Sequence, residues 1–193
     1  MMFFTDFADL GLVLPLAVVV ALVLVAVGSR REALAWSLAV AGTFGAMLLL
    51  KVAVFVWAGA QDGSGLENPS GHAASGVVIY AGLLALVGER FAPRVPVVLL
   101  AGTLIGLLFG LSRVALRYHI SPDVLVGGAV GLAGALVLVR LAGPRRPDAP
   151  AYRHAVVAAV ALAAVLALHG RRLHAEAELR SFAAEIGSGW RGE

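Results

Sequence analysis

Two histidines stand beside long apolar runs, a costly place for an imidazole without a partner or a task. His72 closes Pro69-Ser70-Gly71-His72. His119 lies in the stretch SRVALRYHISPD, which begins at Ser112 and Arg113 and ends at Asp123, four residues after the histidine. Such a set suits phosphate chemistry. One imidazole can attack phosphorus, and another can protonate the oxygen that leaves. Asp123 can hold one ring nitrogen and present the other. Ser70 suits a helix cap, Gly71 lets a ligand approach the backbone, and N–H groups at a helix start cradle phosphate. Lys51 and Arg113 supply positive charge for a transferring group. Plainer readings exist for single residues. Pro69 to Gly71 reads as a capped turn, Asp123 as a helix-dipole charge, and Lys51 as a snorkelling side chain. A metal centre is not expected. No carboxylate cluster suits magnesium, the two histidines lack a third zinc ligand, and the chain has no cysteine.

The elements that must position these groups follow from composition. Of 193 residues, 60% are hydrophobic and 14% charged, a balance that points to a membrane chain. Six apolar runs read as helices: Leu12–Val27, Ala33–Ala58, Gly71–Val87, Val95–Leu116, Pro122–Leu141 and Ala155–Leu168. The expected fold is all-α, a polytopic transmembrane bundle of about six spans in one domain over 1–193. Residues 171–193 form a polar tail in which Leu173, Leu179, Phe182 and Ile186 suggest an interfacial helix. Ser121 and Pro122 read as N-cap and first turn of the fifth span. The net charge of +3 is scattered, so no nucleic-acid partner is expected. Asp6 and Asp9 at the start argue against a cleaved signal peptide. Arginines 30, 31, 90, 94, 140, 145, 146 and 153 gather after spans one, three and five, whereas the loop after span two holds Asp62 and Glu67. The positive-inside rule then puts Lys51, His72, Arg113, His119 and Asp123 at the outer face of a cell (inner) membrane.

On these motifs the chain resembles the type 2 phosphatidic acid phosphatase (PAP2) superfamily, with its core at 51–141. Its second signature, Pro-Ser-Gly-His, is matched by residues 69–72. Its third, Ser-Arg, five residues, His, three residues, Asp, is matched by Ser112, Arg113, His119 and Asp123. The resemblance implies that His119 becomes phosphohistidine, Asp123 orients it and His72 is the general acid. It implies phosphate binding by Lys51, Arg113, Ser70 and the Gly71 amide, with no cofactor. The implied substrate is a lipid phosphate monoester or diphosphate of the phosphatidate, phosphatidylglycerol phosphate or undecaprenyl diphosphate class, held among membrane lipids. The first signature departs from the family. Where Lys, six residues and Arg-Pro are expected, Lys51 is followed by Ala58 and Gly59. Arg117 is a candidate substitute, one turn beyond Arg113 if the fourth span continues; a solvated loop charge is the other reading. Gln61 is a weaker candidate. Two rivals stay open. A phosphotransferase would use the same intermediate, and an inactive scaffold or lipid binder would follow from the missing arginine.

Overall fold

The computed structural model describes residues 6–58, 68–88, 91–144, 150 and 152–170. A short 3-10 turn, Asp6–Ala8, precedes six helices among the described residues. These are α1 (Leu10–Ala26), α2 (Arg30–Ala58), α3 (Gly71–Val87), α4 (Arg94–Ala115), α5 (Ser121–Ala142) and α6 (Tyr152–Leu168). Each matches one of the six apolar runs, and no strand occurs among the described residues. Arg30–Val56, α4 and α5 are long and apolar enough to cross a membrane; α1, α3 and α6 are shorter apolar helices. The fold is an all-α bundle of the membrane type. The 171–193 stripe and Gln61 lie outside the described residues.

Helix α5 is the centre of the site-bearing half and packs against α2, α3 and α4, while α1 packs against α2 and α6. Small residues permit this closeness. A Cβ at Gly127 or Gly131 would overlap the carbonyls of Ser70 or Ala74 on α3, and one at Gly134 would overlap Thr43 of α2. Without a hydrophobic drive between helices in lipid, such backbone proximity is what packing contacts exploit. The larger core lies among α1, α2 and α3, where Leu12, Leu16, Trp36 and Ile79 are fully buried. Trp36 Nε1 donates to Ala17 O at 2.9 Å, which satisfies the indole within the apolar layer.

Span three departs from a uniform α-helix: Val77–Ala81 is a π-helical stretch. It is flanked by Gly76, packed on Phe109, and Gly82, packed on Leu138. The fifth helix also begins differently from the sequence expectation. Ile120, extended at φ −89 and ψ 164, is the N-cap, and no side chain caps the helix. Ser121 is thus the first helical residue rather than the cap, and the Asp123 carboxylate bonds outside its own helix.

The end of the bundle away from His72 and His119 is closed by charge. Arg94 donates to Gly143 O at 2.8 Å and to Glu32 at 2.6 Å; Arg153 reaches Glu32 at 3.1 Å and also bonds Ser29. Arg31 Nε donates to Leu141 O at 3.0 Å. These arginines bind helix ends, so the basic end of the chain is a built structure rather than a row of solvated loop charges.

Candidate active site

Four helix ends meet at the opposite face. Lys51 lies about two turns before the end of α2 and Arg113 in the last turn of α4; the N-terminal turns of α3 and α5 carry Ser70 to His72 and Asp123. Ser70 is fully buried and caps α3, its Oγ accepting from Ala73 N at 3.4 Å. Its own N–H donates to Asp123 O at 2.9 Å. The start of α3 is therefore bonded to the start of α5.

Asn68 joins the other pieces. Its N–H donates to Asp123 Oδ1 at 2.9 Å, its carbonyl lies 2.8 Å from His119 Nδ1, and its side-chain oxygen accepts from Lys51 Nζ at 2.6 Å. A carbonyl can only accept, so Nδ1 carries the hydrogen and Nε2 carries the lone pair. Asp123 Oδ2 stands 3.5 Å from the same Nδ1, and both side chains are 2% exposed. The buried carboxylate favours positive charge on the ring as it develops. Asp123 is thus more than a helix-dipole charge, and Lys51 is tied into the protein rather than snorkelling. Sequence reasoning missed Asn68. Two of the three contacts just given are through backbone groups, and its one signal was an amide directly before the Pro69 turn.

Arg113 and Arg117 occupy different geometry from that expected. Helix α4 ends at Ala115, so Arg117 does not continue the Arg113 face. Tyr118 N donates to Arg113 O at 3.0 Å and Arg117 N to Val114 O at 2.9 Å, the paired bonds of a Schellman cap. Arg117 holds the left-handed position of that cap at φ 59, where glycine is usual and an L side chain costs roughly 1–2 kcal/mol. The chain reverses there and turns Arg117 into the wall of an open cleft of about 660 Å³, shared with Phe55, Asn68, Tyr118, His119 and Ile120. Asp123 also lines the cleft. Arg113 lies with its guanidinium 4.4 Å from the Tyr118 ring centroid, a cation–π contact with a cleft residue.

Lys51, Ser70, Gly71, His72 and Arg113 are outside the cleft lining. The stem of Lys51 passes Gly71, its Cε 3.7 Å from where a Cβ would be. His72 is paired with a residue that sequence reasoning did not connect to it. Its Nε2 lies 4.0 Å from Oδ2 of Asp9, the N-cap of α1. Among the described residues no three His, Cys, Asp or Glu side chains converge as metal ligands would.

Residues 51–147 match the PAP2 superfamily. No curated protein and no solved structure matches the chain. The matched stretch is half of the 193 residues. It runs from the Lys51 turn of α2 past the whole of α5, and so contains the Asn68–His119–Asp123 bonds just described. The chain belongs to the PAP2 superfamily.

Proposed function

We propose that the protein is a membrane phosphatase that hydrolyses a lipid phosphate monoester or diphosphate through a phosphohistidine on His119. The observation that carries this reading is the 2.8 Å contact of His119 Nδ1 with Asn68 O, with Asp123 behind it. It leaves Nε2 as the nucleophilic nitrogen. Nε2 attacks phosphorus, the bond to the leaving oxygen breaks, and the electron pair goes to that oxygen with a proton from His72. Water then attacks the phosphohistidine and returns a proton to His72. Ester and water become alcohol and phosphate. Lys51, Arg113, Ser70 and the Gly71 amide meet the phosphoryl oxygens. The direct test is phosphate release from a panel of lipid phosphates and diphosphates by detergent-purified protein. No release from any of them, and no transfer to an added lipid alcohol, would leave a scaffold or lipid binder.

Arg117 replaces the cation missing beside Lys51. Support comes from its backbone. A left-handed arginine lining the cleft is a local strain of the kind kept at functional positions. Arg117→Lys, which loses the bidentate fork, is expected to lower kcat/KM ten- to a hundredfold, about 1.4–2.8 kcal/mol. Arg117→Gly separates the two effects. It should lower kcat/KM at least as far while raising stability by about 0.5–1 kcal/mol, because glycine removes the strain. Equal activity in all three proteins would make Arg117 a loop charge.

The active site faces the outer side of the cell (inner) membrane. The arginine-rich end, with Arg31, Arg94 and Arg153, is opposite His72 and His119, and basic ends stay in the cytoplasm. The chain has no cysteine, so single cysteines report sidedness cleanly. Ser121→Cys at the site end should label with an impermeant thiol reagent in intact cells. Phe91→Cys, 88% exposed after α3, should label only after lysis. The reverse pattern would move the substrate pool to the cytoplasmic leaflet.

A further inference from the structure

The pair formed by Asp9 and His72 is built by contacts of its own. The Asp6–Ala8 turn is clamped on α3 by two side chains of that helix. The Ser75 hydroxyl donates to Ala8 O at 2.9 Å, and the Tyr80 hydroxyl donates to Phe7 O at 2.5 Å. Ser75 is buried and lies one turn beyond His72 on the same helix. The clamp that fixes the turn therefore also sets Asp9 beside His72. The Asp9 carboxylate divides its work. Oδ1 accepts Gly11 N–H at 2.8 Å and starts α1, while Oδ2 stands 4.0 Å from His72 Nε2. The Asp9 side chain is 13% and the His72 side chain 23% exposed, so the pair is partly shielded from solvent screening. Other titratable groups at this end are Asp6 in the same turn, Lys51 against Gly71, and His169 after α6, whose ring lies 4.5 Å from Phe7.

We propose that Asp9 is a positioning residue for proton transfer, holding His72 as the imidazolium that donates to the leaving oxygen. The inference rests on the phosphatase reading. A carboxylate at this range favours the charged ring. The pair forms from an ordinary helix cap, so one residue both begins α1 and charges the acid. After donation His72 is neutral, and it regains its proton from the water that attacks the phosphohistidine.

The prediction follows from how much an oxygen needs a proton in order to leave. An alkoxide needs one; a nitrophenolate leaves without it. Two esters with the same dodecyl chain therefore separate the roles: dodecyl phosphate and a dodecyl-substituted nitrophenyl phosphate. Asp9→Asn keeps the cap, since asparagine caps as well as aspartate, and removes the charge. It is expected to lower kcat on dodecyl phosphate by about tenfold, part of the 10²–10⁴ that general acid catalysis supplies. On the nitrophenyl ester the change should stay within about twofold, since that step draws little on the acid. Asp9→Ser, also a capping residue, should show the same split. Equal losses on both esters in both variants, or no loss on either, would make Asp9 a cap alone and overturn the proposal. A wild-type protein that turns over neither ester overturns this inference, and one that also releases no phosphate from the panel of lipid phosphates and diphosphates overturns the phosphatase reading with it.

Discussion

His119→Gln is expected to abolish phosphate release, a fall of ~10⁴-fold or more, as is usual when a nucleophile that forms a covalent intermediate is removed. The fold should persist. Glutamine is close to histidine in size, and its amide can still donate toward Asn68 O, which now lies 2.8 Å from Nδ1. What it lacks is a nucleophilic nitrogen. Asp123→Asn should lose less. An asparagine oxygen can still accept from Asn68 N at the place of Oδ1, so the joint between α3 and α5 remains. The lost charge removes support for a cationic ring, worth about 10²-fold by analogy with the partners that orient metal-bound histidines. Wild type incubated with a radiolabelled lipid phosphate and quenched in alkaline detergent should carry base-stable label that acid removes, and His119→Gln should carry none. Phosphate release at the wild-type rate from His119→Gln would end the assignment of His119.

What the sequence reveals and what it hides divide along physical lines. Six helices are readable because each must satisfy its backbone within apolar surroundings, so the runs are long and sharply bounded. His119 and Asp123 are readable because their spacing places one just before a helix and the other in its first turn. Asn68 is hidden because main-chain groups carry no side-chain signature, and any residue but proline could offer that N–H and carbonyl. Asp9 is hidden because its partner lies two helices away, and only the Ser75 and Tyr80 clamps bring the pair together. Arg117 misleads for a local reason. An arginine rarely occupies the left-handed position of a helix cap, so the sequence places Arg117 on the Arg113 face only if the fourth span continues, and otherwise in a loop. The cap instead turns Arg117 into the cleft, where it is still a candidate for the missing cation but by another route. Ser121 misleads similarly, being a good capping residue one place too late.

The second large effect is expected from a methyl group that touches no substrate. Gly127 of α5 lies against the carbonyl of Ser70, and a Cβ there would overlap that oxygen. The obstacle is backbone on a capped, fully buried residue, not the tip of a mobile side chain, so the start of α3 must move away from α5. Ser70 N–H would then be pulled from Asp123 O, and Asn68 N–H from Asp123 Oδ1. The support of His119 and the phosphate cradle would shift against each other. A displacement of about 1 Å can cost 10²-fold in rate without touching a reacting group, and inserting a methyl into a filled interface costs about 1–3 kcal/mol. Gly127→Ala should therefore reduce kcat by about 10²-fold and lower the thermal midpoint in detergent. Gly128→Ala makes the same chemical change one residue along the helix, where nothing lies within 4 Å of the added Cβ. It should keep wild-type kcat and gain slightly in stability, since alanine is the better helix former by about 1 kcal/mol. The contrast isolates proximity from propensity. If the two variants behave alike, the close approach of α5 to Ser70 does not hold the site together.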